Sequence, residues 1–89
     1  MKAIVTVIGK DQVGIIASVC ALLSAHKVNV LDISHSVLQE YFTMIMMVDA
    51  SDTGIPFSEL ASLLEAKGQE MHLSIRIQRE DIFNAMHRI

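Results

Sequence analysis

Hydrophobic residues recur along this chain at two spacings, and each change of spacing marks an element. Residues 2–9 carry Ala3-Ile4-Val5-Thr6-Val7-Ile8, apolar at nearly every position and rich in β-branched side chains. Such a run predicts a strand covered at least partly on both faces, hence a central one. From residue 13 the spacing becomes helical. Ile15, Ile16, Val19, Leu22 and Leu23 share one face of a helix that runs to His26. Ala17, Ser18, Ala21 and Ser24 fall largely on the other face, small and weakly polar. Residues 28–38 alternate from Asn29 onward, with Leu31, Ile33 and Val37 on one side and Asp32, Ser34 and Ser36 on the other. That alternation predicts a half-buried antiparallel strand, closed by a short turn at Gln39-Glu40.

Residues 41–49 are apolar on both faces and predict a second central strand, with Met44, Met46 and Met47 as adaptable fillers. A loop follows over 50–55. Pro56 suits the first turn of a helix marked by Phe57, Leu60, Leu63 and Leu64, with Lys67-Gly68 as its stop. Residues 70–79 set Met71, Leu73, Ile75 and Ile77 against His72, Ser74, Arg76 and Gln78, a strand with one wet face. The tail, 79–89, places Ile82, Phe83, Met86 and Ile89 at helical spacing. Glu80-Asp81 at its start and His87-Arg88 at its end suit the helix dipole.

The order is therefore βαββαβ plus a tail helix, predicted as one domain over 1–89. It is the ferredoxin-like, split βαβ arrangement of the α+β class. Right-handed crossovers put both main helices on one face of a four-stranded antiparallel sheet in the order 4-1-3-2. The second and fourth strands are then the edges. The opposite sheet face, with Ile45, Met47 and part of the first strand, needs a cover, either the tail helix or a second subunit.

The junction Gly9-Lys10-Asp11-Gln12-Val13-Gly14-Ile15-Ile16-Ala17 joins the first strand to the first helix. Gly9 allows a tight exit from the strand, and Asp11 can accept from the first helical N–H groups. Gly14 leaves the helix start open to close approach. A helix start with no bulky side chain over its N–H groups attracts carboxylates and phosphates.

Composition narrows the function. An apolar share of 52% is high for 89 residues, and a domain this small buries only about 60% of its unfolded surface. Self-association is the expected outcome. The net charge of −3 comes without any basic cluster, and aromatics are only 4% of residues, which argues against nucleic acid. Cys20 is the single cysteine, so neither an internal disulfide nor a cysteine metal framework is possible; a small hydrophobe at the edge of the apolar helix face is its expected role. His26, His35, His72 and His87 lack metal-ligand spacing. No membrane span and no signal peptide are recognisable, so a cytoplasmic protein is expected. No nucleophile–base pair can be named, which argues against an enzyme, and neither a cofactor nor a metal is predicted.

The junction, with Leu22-Leu23 and Val28-Asn29-Val30-Leu31-Asp32-Ile33 after it, resembles the ACT domain. Val13 departs from that pattern, where many members have proline. The tail Asp81-Ile82-Phe83-Asn84-Ala85-Met86-His87-Arg88-Ile89 resembles the narrower UPF0237 group of small ACT proteins. The resemblance implies a regulatory domain that binds an amino acid or similar small ligand at a homodimer interface and acts in trans on an unidentified protein partner. It carries ligand binding onto Asp11, Gln12, Val13, Gly14 and Ile15 of one copy and Asn29, Val30 and Leu31 of the other. N–H groups at Gly14 and Ile15 could take a carboxylate, and the Asn29 amide could hold an amino group. Asn29 as a plain turn residue remains open. The alternative is a ligand-free dimerisation or interaction module docking to a metabolic enzyme or regulator.

Overall fold

The computed structural model describes residues 1–86. They form β1 (Lys2–Lys10), α1 (Ile15–Ala25), β2 (Asn29–Leu38), β3 (Tyr41–Asp49), α2 (Phe57–Met71), β4 (Leu73–Arg79) and α3 (Glu80–Met86). His87, Arg88 and Ile89, expected to end the tail helix, lie outside the described residues, as do the side chains of Phe83 and Met86. The sheet order is β2-β3-β1-β4, every pair antiparallel. It is the ferredoxin-like order expected from handedness. None of the described helices is long and apolar enough to cross a membrane.

The core lies between one face of the sheet and the two long helices. Val5, Val7, Met44, Met46 and Val48 meet Val19, Leu23, Leu60 and Leu64 there, all fully buried. Among the described residues no polar or charged residue is buried, so cohesion there is apolar packing. The other sheet face is only partly covered. α3 packs back on β1 and β4, and Ile4 is buried although it stands outside the main core. Ile45 and Ile8 on that face stay 53% and 57% exposed.

Several expectations need correction. α1 begins at Ile15 rather than at Val13, because Gly14 takes a left-handed φ of 90° that a continuing helix cannot hold. β1 runs on through Gly9 to Lys10, so the strand does not exit at Gly9. α2 does not stop at Lys67-Gly68 but continues to Met71, and β4 starts at Leu73. Gly68 is buried inside the helix because β4 passes against it: a Cβ there would lie 2.6 Å from the Leu73 carbonyl oxygen. The helix ends instead at His72, whose φ of 59° is left-handed.

The second strand is not half buried. Ile33 and Val37 face the helix side, opposite Met46 and Phe42, yet remain 36% and 50% exposed. α1 makes only slight contact with β2, whereas α2 lies close along β4. Leu31 does not line up with them: a bulge between Val30 and Asp32 makes it an extra residue.

Candidate functional site

The turn into α1 is anchored at its start by two hydrogen bonds and is open beyond them. The Asp11 N–H donates to the Glu40 carbonyl at 2.8 Å, tying the turn to the β2–β3 hairpin. The Gln12 Nε2 donates to the Met71 carbonyl at 2.8 Å, tying it to the end of α2. Past these anchors Val13 is 100% exposed. Gly14 precedes the helix, and its carbonyl accepts the first helical bond, from Ser18 N–H at 2.9 Å.

No side chain caps α1 at this end. The expectation that Asp11 accepts from the first helical N–H groups therefore fails: Asp11 sits three residues too early and is held by the hairpin. The N–H groups of Ile15, Ile16 and Ala17 have no acceptor within the helix, as at any helix start. They border a depression of about 330 Å³ lined by Asp11, Gln12, Gly14, Ile15, Ile16, Ala17 and Phe42. Ile15 and Phe42 are buried and form an apolar floor. A small molecule with a carboxylate beside an apolar side chain matches this combination of donors and floor.

Of the sequence-predicted residues, Asp11, Gln12, Gly14 and Ile15 are brought together here. Val13 belongs to the turn but does not line the depression. Ile16, Ala17 and Phe42 were not foreseen. The first two follow from helix geometry once Gly14 is the residue before the helix. Phe42 follows from strand pairing, since it stands opposite Gly9.

Asn29, Val30 and Leu31 lie elsewhere. Asn29 begins β2 opposite Asp49, at the end of the sheet away from the turn. β2 is 10 residues long, so about 30 Å separates its two ends at ~3.4 Å per residue. Val30 is half buried opposite Val48, and Leu31 occupies the bulge. Beside Asn29, the Asp49 carboxylate accepts from Ser51 Oγ at 2.5 Å and from Ser51 N–H at 2.9 Å. These bonds, helped by the Met1 ammonium, hold the Asp49 carboxyl down at about 2. Asn29 thus neighbours a carboxylate already committed to other partners.

Other candidate chemistry stays dispersed. Among the described residues no three of His, Cys, Asp and Glu come close enough to hold a metal ion. His35 stacks on Phe42, ring centroids 5.8 Å apart. Cys20 is partly buried against the core. A larger groove of about 590 Å³ runs between α2 and the outer edge of β4, past Glu65, Gln69 and Arg76. It lies away from the turn and shares no residue with it.

The model of the ACT domain family matches residues 2–78. A UPF0237 protein of Clostridium acetobutylicum is 53% identical over 89 residues, covering 100% of both chains. The solved ACT domain protein from Streptococcus pneumoniae is 46% identical, with a TM-score of 0.83 over 98% of each chain. A formyltetrahydrofolate deformylase from Burkholderia mallei superposes with a TM-score of 0.78 at 18% identity, over 88% of this chain and 28% of that one. At that identity the likeness is one of fold.

Proposed function

The chain belongs to the ACT domain family, a family of regulatory domains of the small-ligand-binding kind, and from that premise we propose a specific role. Two copies associate in the cytoplasm, hold an amino acid or similar small carboxylate between them, and act in trans on a partner protein. The turn at Asp11, Gln12, Val13, Gly14 and Ile15 supplies one side of the site, and Asn29, Val30 and Leu31 of the other copy supply the second.

One observation carries this reading. The uncapped start of α1 and the Asn29 segment stand at opposite ends of an edge strand. Within a single chain they cannot touch one ligand. A second copy running antiparallel brings the Asn29 end of one chain to the turn end of the other. The charge pattern is compatible: the helix N–H groups favour the carboxylate, and Asn29 offers an acceptor for the amino group.

A thermal-shift screen across the common amino acids at millimolar concentration tests it. A ligand present at 100 times its Kd adds about 2.7 kcal/mol. In a domain of this size that raises Tm by on the order of 10 °C. If no amino acid moves Tm, the ligand reading fails and the interaction-module reading replaces it. Asn29→Ala separates the roles of that residue. It is expected to abolish the ligand-induced shift and leave the sedimentation coefficient of the dimer unchanged; loss of the dimer as well would make Asn29 a structural residue.

A further inference from the structure

We propose that the groove between α2 and the outer edge of β4 is a docking site for an extended segment of a partner protein, which joins the sheet as a fifth strand. The proposal rests on the reading above that the domain acts in trans on a partner, and it names the surface that partner meets.

β4 ends the sheet on its side, so alternate residues along it turn N–H and C=O groups away from β1. Such an edge accepts another chain unless it is short, bulged, broken by proline or guarded by charge. β4 pairs with β1 from Leu73 to Arg79 without a register shift, and it contains no proline. Its guard is charge alone. β2, the other edge, is interrupted by its bulge at Val30/Asp32.

The groove holds about 590 Å³. Every residue of β4 from 73 to 78 lines it, residues of both sheet faces, so it follows the edge rather than one face. Its far wall is α2, where Ala61, Glu65 and Gln69 recur every fourth residue and form one stripe. A strand added at the usual spacing of ~4.8 Å occupies this channel. Its backbone meets β4, and every second side chain stands beneath the α2 stripe.

Charge selects the occupant. Glu65, on α2, belongs to the helix side. Arg76 stands opposite Thr6 on the open side of the sheet, since its neighbours Ile75 and Ile77 are buried in the core. Both charges are exposed, and among the described residues neither has an ion-pair partner. The incoming strand therefore needs a cation on its helix-side face and a carboxylate on its open-side face. Successive residues of a strand alternate faces, so these two charges stand an odd number of positions apart. A second copy of this chain does not meet the requirement. Its β4, 73–79, contains no acidic residue, and its β2, 29–38, contains neither lysine nor arginine. β1 and β3 are already paired on both sides. The charges fit a segment of a different protein, with adjoining acidic and basic residues among strand formers.

The groove is also tied to the turn before α1. Gln12 Nε2 donates to the Met71 carbonyl at 2.8 Å, and the groove begins two residues later at Leu73. A partner seated on β4 borders the segment that Gln12 holds.

Two end-blocked synthetic peptides test the site with no amino-acid ligand present, so their failure leaves the ligand reading standing. In Thr-Val-Asp-Lys-Thr-Val-Thr the lysine shares a face with the valines, which seek the α2 side, and the aspartate takes the other face. Thr-Val-Lys-Asp-Thr-Val-Thr exchanges the charges. In an NMR titration the first peptide is expected to shift the amides of 73–79, to leave those of 32–38 unmoved, and to bind roughly tenfold more tightly than the second. The double variant Glu65→Lys, Arg76→Glu, changed only at exposed positions, is expected to reverse that preference. No shift over 73–79 at millimolar peptide overturns the docking site. Shifts over 32–38 instead overturn the choice of edge. Equal affinity for the two peptides, or a preference that the variant does not reverse, overturns the charge pattern of the occupant. Amide exchange over 73–79 that slows with protein concentration alone makes a second copy the occupant and overturns the partner segment.

Discussion

β2 and β4 are the two edges of the same sheet, and both alternate in sequence, yet they have opposite fates. β4 buries Leu73, Ile75 and Ile77 beneath α2. β2 fully buries none of its residues, although Ile33 and Val37 face the same side. The cause lies in the helices. Gly68 lets α2 close on β4 until a Cβ would strike the Leu73 carbonyl. α1 only grazes β2. Amphipathic alternation therefore records that a strand face meets something apolar, and it does not say whether the cover comes from the same chain. On β4 the cover is internal. On β2 the chain itself supplies little cover.

The contrast has measurable consequences, the largest on β4. Ile75→Ala removes a buried side chain and is expected to cost ~2–5 kcal/mol in urea unfolding. A loss below ~1 kcal/mol would show that α2 does not depend on this edge. Gly68→Ala drives a methyl into the Leu73 carbonyl and is expected to cost ~1–3 kcal/mol. An unchanged midpoint would mean that the α2–β4 contact is looser than its geometry. On β2 the outcome is of a different kind. Val37→Lys places a charge on the exposed edge and is expected to convert the dimer to monomer by sedimentation. Unfolding of that monomer should shift by no more than ~0.5 kcal/mol, as for other exposed positions. A dimer of undiminished affinity would remove β2 from the interface.

The smallest effect is at the foot of β2, where Asp49 faces Asn29. Its carboxyl, held at about 2 against an ordinary 3.8, owes this first to the Ser51 side chain. A folded value below the unfolded one gives stability that is present above the unfolded carboxylate range and is lost as pH falls toward 2. Ser51→Ala is expected to return the Asp49 carboxyl toward 3.8 in an NMR titration. A carboxyl that still titrates near 2 would assign the shift to the backbone N–H of residue 51 and the Met1 ammonium instead.

Much of the fold was legible because local signals and global topology agree. The β-branched run of β1, the apolar face of α1 and the alternation of β4 all hold. The candidate site was legible in its turn half, where Asp11, Gln12, Gly14 and Ile15 gather around one depression. Gly68 was misleading, since a glycine after a lysine signals a helix stop, and the chain uses it for close approach between elements. Asp11 was misleading for a similar reason: its backbone is held by Glu40, a residue far along the chain. Phe42 escaped notice because its place in the floor depends on the register in which β1 pairs with β3.

Residue order was enough for the βαββαβ succession, the central rank of β1 and β3, and the glycine-led opening of α1. These follow from periodicity and backbone sterics, which act over a few residues. Packing had to supply the length of α2, the bulge at Leu31, and the exposure of Ile33 and Val37. Those depend on how closely each helix approaches its edge strand, a distance set by contacts between residues far apart in the chain.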